Sequence, residues 1–454
     1  MWILNLRRAV GRNGPEESGA APGKAGLEAA WAGYAQDAHT LYVRHREQQL
    51  VRNSGRCRAV ALTSASTNIY SALSFNPPPA QYTVAASFFL TSPSKVSPKV
   101  ISIATGTKCL PTSRYPLKGE ALHDSHAEVL ARRGAIRWFL EEIGRCESSG
   151  TYKSSWIHRD PEGKYDLREG VQVSLYVSTM PCGDASMRFL AAVQDEEMAA
   201  LKDSAVYAPL GPNEASRGRD NYARLGVLRT KPGRADSPPT FCMSCSDKIA
   251  SWSILGFQGA LGSRFLRPLY ISTIVIGEVP LDMQDIVRED CERAFWRRLG
   301  HVDEELHPGY SLHVPVIKFT AQPFVHSRTV LGNTTPLSGS CNDALCWTAD
   351  TEPKPYEVLI NGFKRGVSPK HRFHEKARPR LSRIAVLALY NRTLGLLGLP
   401  PLEPTTTYHA LKQQMSDYQA VKEKLMGPNG VFSGWISSVI STYNCIKRWG
   451  EKDK

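Results

Sequence analysis

Asp124-Ser125-His126-Ala127-Glu128-Val129-Leu130, with the run that continues to Ile143, decides how this chain is read. At about 100° per residue, Val129, Ile136 and Leu140 gather on one side of a helix together with His126. The run therefore predicts a helix starting at Ser125, with His126 and Glu128 in its first turn. Ser125-x-x-Glu128 is also a capping box, in which Glu128 would only satisfy a backbone N–H. Both readings stand at this point.

Outward from that helix, strand and helix patterns alternate. Gln81–Ser92 reads as the first well-packed element, and Lys99–Ala104 alternates like a strand before a turn at Gly106. Val171–Thr179 is a strand pattern followed by Pro181, a residue suited to opening a helix. Pro209–Pro239 is loop-like, a helix is expected from near Ser246, and Leu269–Val279 is an apolar strand. Met283–Leu299 and Thr405–Met426 each carry a helical pattern. This alternation predicts an α/β fold with a three-layer α-β-α core. Residues 1–50, rich in Ala and Gly, are expected to form a poorly ordered tail with a short helix near Leu27–Tyr34, and residues 51–454 a single domain.

Charge and cysteine usage narrow the class. Lys and Arg number 56 against 43 Asp and Glu, a formal +13 that favours a polyanionic partner, nucleic acid first. The ten cysteines are scattered, which suits a reducing intracellular compartment, nucleus or cytoplasm, better than a disulfide framework. No apolar run reaches the length of a membrane span. Nothing points to an obligatory protein partner.

Three short clusters carry the chemistry: His126-Ala127-Glu128, Pro181-Cys182-Gly183 and Ser244-Cys245-Ser246-Asp247-Lys248. His and Cys are good zinc ligands, and three of them leave a fourth position for water. Zinc lowers the pKa of that water, and a nearby carboxylate that is not a ligand can shuttle protons; Glu128 is placed for this. His-x-Glu followed by Pro-Cys opens the zinc nucleobase deaminase signature. The usual second cysteine two residues further on is missing, because Gly183, Asp184 and Ala185 follow Cys182. A distant cysteine must complete the site. Taken singly, a cysteine here could be packing, and Cys242-x-x-Cys245 could be half of a structural zinc site.

From roughly Tyr82 to Trp435 the chain resembles the adenosine deaminases acting on RNA, through HAE at His126–Glu128, PCG at Pro181–Gly183 and SCSDK at Ser244–Lys248. The resemblance implies a cytidine-deaminase-like core with a C-terminal helical extension. It implies zinc held by His126, Cys182 and Cys245, with Glu128 as proton shuttle and Cys242 a bystander. Hydroxide would attack C6 of a flipped-out adenine, leaving inosine. The run Gly226–Asp236 resembles the tRNA-specific branch, not the base-flipping loop of the duplex-RNA editors. That implies tRNA as substrate, alanine tRNA foremost, modified 3′ to the anticodon (A37). The alternatives are a double-stranded-RNA deaminase and a non-catalytic RNA-binding protein with a vestigial zinc site. Arg229, Lys231 and Arg234 in that run are expected to contact phosphates. By the same likeness Thr107 should face the sugar of the target nucleotide, and Lys108 a phosphate.

Cations also fall on apolar faces. On a continuous helix from Thr405, Tyr408, Leu411, Met415 and Tyr418 lie within an arc of about 80°, with Lys422 between Leu411 and Met415 and Lys412 at the edge. Arg133 likewise falls between His126 and Leu140. Buried cations need an anion or a route to solvent. The resemblance names the anion as inositol hexakisphosphate, a structural cofactor with matching positions at Arg132, Arg133, Lys248, Gly259, Tyr408, Lys412, Tyr418, Lys422 and Trp435. Asp124, with Lys248, matches the polar relay between that cofactor and the zinc site. The pattern departs at His123, Ser251 and Val386, where Asn, Arg and Lys are expected.

Overall fold

The computed structural model describes residues 59–116, 119–194, 209–211, 213–233, 237–300, 302 and 306–436. The expected tail over residues 1–50 and Arg234 lie outside them.

Strands β1 (Ala85–Thr91), β2 (Lys99–Thr105), β3 (Thr107–Cys109), β4 (Asp124–His126), β5 (Gln172–Val177), β6 (Ile271–Gly277), β7 (Val316–Thr320), β8 (Asp343–Thr348), β9 (Tyr356–Ile360) and β10 (Phe363–Lys364) carry the architecture. Eight of them form one sheet in the order β7-β6-β5-β1-β2-β8-β9-β10, while β3 and β4 pair separately. β5, β6 and β7 run parallel, and every other pairing in the sheet is antiparallel.

Side chains alternate across a strand, so consecutive residues Phe88 and Phe89 serve different layers. Phe88 packs with Leu130, Trp138 and Phe139 of helix α2 (Ala127–Ser148). Phe89 packs with Leu62 of helix α1, over residues 59–72, and with Val100, Ile103 and Val275. Helices on both faces make the three layers that the alternating pattern predicts. The α1 segment corrects the expectation that Gln81 opens the packed chain. Its Ser- and Thr-rich sequence hides a sparse apolar stripe, Ala59, Leu62 and Ile69, that only the sheet surface reveals.

Behind α2 follow α3 (Met187–Val193), α4 (Cys245–Leu255), α5 (Gln284–Phe295), α6 (Arg383–Leu396), α7 (Tyr408–Gln413) and α8 (Ser416–Met426). The single helix expected over Thr405–Met426 is two. Thr407 caps α7 through its side chain, and Met415 leaves helical geometry at φ −85°, ψ 73°. The break lets Leu411 enter the main core and Val421 and Leu425 a second cluster with Ile254 and Phe432. Among the described residues no helix is long and apolar enough to cross a membrane.

Candidate active site

The first functional segment starts differently from its sequence reading. Ser125 is in strand β4, paired with Lys108, and α2 begins only at Ala127 with His126 as its cap in extended geometry. The Asp124 carboxylate accepts from the His126 N–H at 3.0 Å, and the Ala127 N–H reaches Gly106 O at 3.0 Å. No capping box forms. Gly106 makes this approach possible: at φ 148° a Cβ there would stand 2.1 Å from Ser125 O. Glu128, in the first turn of α2 and 2% exposed, lines a cavity.

β5 delivers Cys182 from its carboxyl end, and Cys245 opens α4 behind Ser244, whose hydroxyl caps the Asp247 N–H. The two segments are fastened to each other. The Ser246 N–H and hydroxyl both donate to Cys182 O, each at 2.9 Å. Gly183 allows it, because a Cβ at that position would meet Ser244 Oγ at 2.1 Å.

His126 Nδ1 lies 3.7 Å from Cys182 Sγ and 3.6 Å from Cys245 Sγ. Zinc bonded at usual lengths to one imidazole nitrogen and one thiolate, at a tetrahedral angle, sets those two atoms about 3.6 Å apart. The three side chains therefore fit one zinc ion, and all three ligand atoms lie within 4.8 Å of one another. A hydrogen bond from Cys245, then Lys231 and His126, holds the Cys182 thiol well below its ordinary pKa against the effect of burial. Cys242 stays outside the cluster, with its sulfur 3.8 Å from Tyr115 Oη and 3.8 Å from His123 O.

The cavity holds about 1050 Å³ and is lined by Thr107, Lys108, His126, Glu128 and Cys182, and by Ser178, Glu278 and Thr320 at the ends of the parallel strands. That is where open α/β sheets hold ligands. The Thr107 hydroxyl is buried without a hydrogen-bond partner among the described residues, and Lys108 Nζ donates to Ser340 at 2.9 Å. Burial raises the Glu128 pKa, with His126 opposing it. A carboxyl group so placed exchanges protons more readily near neutral pH than an exposed one.

Two residues expected to touch RNA phosphates are inside the protein. Lys231 is 2% exposed, with Nζ 2.8 Å from Asp124 Oδ2 and 3.1 Å from Cys245 Sγ. Arg229 is fully buried; its guanidinium donates to the carbonyls of Gly218, Asp220, Asn221 and Arg224, and its N–H to Asp247. Both corrections have one cause: the loop folds back on itself, and its cations meet acceptors before they meet solvent. Replacing Arg229 with leucine strands four carbonyls, and we expect unfolding free energy to fall by about 3 kcal/mol in urea titration. A change below about 0.5 kcal/mol would remove Arg229 from that role.

Asp124 joins the site to a second cluster. Its carboxylate pairs with Lys231 and with Lys248. Burial alone would raise its pKa, but the two ammonium groups outweigh it and hold the carboxyl well below the usual range. Beyond Lys248 lies a gathering of cations. Arg132 donates to Phe257 O at 2.7 Å and lies over Trp252, while Arg133 donates to Leu381 O at 2.7 Å. Lys412 is pushed down to about 8 by burial and then by Lys422, Arg383, Arg132 and Arg133, all of its own sign. Tyr418 and Tyr408 both act on Arg132. Gly259 leaves room for the Arg132 guanidinium, which a Cβ there would meet at 2.7 Å. Trp435 stacks on Phe432 in the adjoining second cluster. Sequence reading missed Arg383. Its signal was a cation in the first turn of α6, where the helix dipole disfavours one and no acid accompanies it.

Comparison with known proteins agrees with this architecture. Residues 102–438 match the adenosine-deaminase (editase) domain family. Over 301 residues the chain is 30% identical to "tRNA-specific adenosine deaminase 1" of Schizosaccharomyces pombe, spanning 64% of this chain and 72% of that protein. It is 26% identical over 457 residues to "tRNA-specific adenosine deaminase 1" of Homo sapiens, 76% of this chain and 88% of that one. It is 28% identical over 334 residues to "Double-stranded RNA-specific editase Adar" of Drosophila melanogaster, 72% of this chain and 45% of the other.

Proposed function

The chain belongs to the adenosine-deaminase (editase) domain family, and from that premise we propose that it converts adenosine to inosine in tRNA, at the base 3′ to the anticodon. The supporting observation is the convergence of His126, Cys182 and Cys245, from three separate segments, on zinc-like spacing beside a buried Glu128. The names of its relatives in fission yeast and humans favour tRNA. An RNA substrate supports an intracellular location, which we propose to be nucleus or cytosol.

Zinc bound at this triad supplies the acidity that makes hydroxide available near neutral pH. Glu128 takes one proton from the attacking water and passes it to the purine ring nitrogen; as the C6 carbonyl then forms, it takes the second proton from that same oxygen and delivers it to the amino group, which departs as ammonia. Thr107 faces the target nucleotide from the cavity wall, and Lys108 stands beside it toward the phosphates. Lys231 has another task than the one its sequence position suggests: its charge beside Cys245 favours the thiolate form that a metal requires.

The cation cluster behind Lys248 fits inositol hexakisphosphate as a structural cofactor. Arg132, Arg133, Lys412 and Lys422 would hold its phosphates, with Tyr408, Tyr418 and Trp435 around them. The phosphates supply the negative charge that these side chains otherwise lack. Val386 lies buried and contributes no charge where a lysine is expected, but Arg383, one turn earlier on α6, brings a cation to the cluster.

Purified protein is incubated with an alanine tRNA transcript and the product sequenced. A-to-G changes confined to the base 3′ to the anticodon are expected. Conversion of duplex RNA with none in tRNA would select the duplex editor. Tight RNA binding without conversion of either substrate would select a binding protein.

A further inference from the structure

At the end of the sheet opposite β7, the edge strand β10 runs into a segment whose cations the reaction does not use. Lys364, Arg365, Lys370, Arg372 and Lys376 lie within it, with Glu375 as the lone acid. Part of this charge is internally satisfied. Arg365 pairs with Asp343 at 2.7 Å, and Arg372 lies over the Phe363 ring at 4.7 Å. Lys370 and Lys376 are exposed. So is Phe373, at 49%, held edge-on against Phe363 with ring centroids 5.8 Å apart. Edge strands are often protected by lysines, but that accounts for charge on β10 itself. It explains neither the cations that continue beyond the strand nor an aromatic ring held out among them.

The segment is also tied to the cavity wall. Leu122 N–H donates to Gly362 O at 2.9 Å, and Phe363 packs with Leu110 and Ala121. Leu110 stands between Cys109 and Pro111, both of which line the cavity. An RNA strand that places one nucleotide in the cavity would therefore have its neighbouring backbone within reach of this face.

We infer that the basic segment 363–376 is a second RNA-docking surface, where Lys370 and Lys376 grip backbone phosphates and Phe373 offers a stacking face to an unpaired base. Phosphate contacts position an RNA without reading its sequence, and exposed rings among cations are how proteins hold single-stranded stretches. The inference rests on RNA being the substrate. It assigns to this surface affinity for parts of the RNA remote from the reacting base, so its loss should appear in KM and not in kcat.

The test uses full-length protein carrying Lys370→Gln and Lys376→Gln, with Phe373→Ser as a separate variant. Wild type and variants are compared for tRNA binding across a salt series and for kcat and KM. The double variant should keep its melting temperature and kcat, raise KM about tenfold, and lower the slope of log affinity against log salt by about 1.5, as expected for two lost phosphate contacts. Phe373→Ser should weaken binding with that slope unchanged. An unaltered KM and salt slope in the double variant, while the wild type deaminates tRNA, would overturn the surface and leave the function standing. If the wild type converts only duplex RNA, the tRNA reading fails, and the same salt slopes on duplex RNA decide the surface independently.

Discussion

Glu128→Gln leaves a folded protein that still takes up one zinc ion and converts adenosine about a thousandfold more slowly, the scale expected when a positioned acid–base group is lost. Glutamine matches glutamate in size, so the cavity keeps its shape, but the amide cannot accept and return protons. The loss must come from chemistry and not from unfolding, and the environment of Glu128 predicts how that will look. Burial raises its folded pKa above the ordinary value. In the metal-free protein the folded state therefore holds a proton that the unfolded chain releases, and stability falls as pH rises from the ordinary glutamate pKa through the raised one. Removing the carboxylate removes that loss, so at neutral pH the metal-free variant should be at least as stable as the wild type. Single-turnover conversion, zinc content and urea unfolding on the same preparation decide the matter. Activity within tenfold of wild type would exclude Glu128 as the proton carrier.

The second large effect concerns the cation cluster. Protein stripped of polyanions should gain about 3 °C in melting temperature when inositol hexakisphosphate is added at a hundred times its dissociation constant, from the linkage term of about 2.7 kcal/mol and the sensitivity of a domain this size. The pH dependence is more specific. Lys412 has its pKa pushed from 10.5 down to about 8 by burial and like charges. Between those values the unfolded chain binds the proton more readily than the folded one, so stability of the stripped protein should rise as pH goes from about 8 to 10.5. A bound polyanion offsets the repulsion and should flatten that rise. Urea midpoints at two pH values in that window, with and without the ligand, measure it. Equal slopes in both conditions would mean that no anion occupies the cluster, and Lys412→Met should then change nothing that the ligand does.

Much of this was legible in residue order, and the reasons for what was not are specific. His126, Cys182 and Cys245 could be picked out because each stands where one element passes to the next, with chemistry that needs all three. Strand and helix patterns gave the three layers because core burial imposes periodicity. The start of α2 was misread because Ser125 pairs with Lys108 across a turn at Gly106, a non-local contact that outweighs a local capping preference. Arg229 and Lys231 looked like surface cations because composition cannot reveal that a Gly-, Pro- and Arg-rich loop folds inward onto Asp124, Asp247 and its own carbonyls. The division of α7 from α8 at Met415 depended on two apolar clusters claiming Leu411 and Val421 from different sides.

The three metal-facing side chains come from segments that neither touch nor order one another until the sheet has brought them together. A growing chain emerging from the ribosome cannot offer the full set until Cys245 is out, nor the chamber behind it until Lys422 follows. Zinc held at the triad would act as a clasp across nearly 120 residues of sequence, resisting the partial openings by which a finished protein first comes apart. Metal uptake would therefore require both that α4 has been made and that the segments bearing His126 and Cys182 have met it, and the metal would be a seal on a fold already correct enough to receive it.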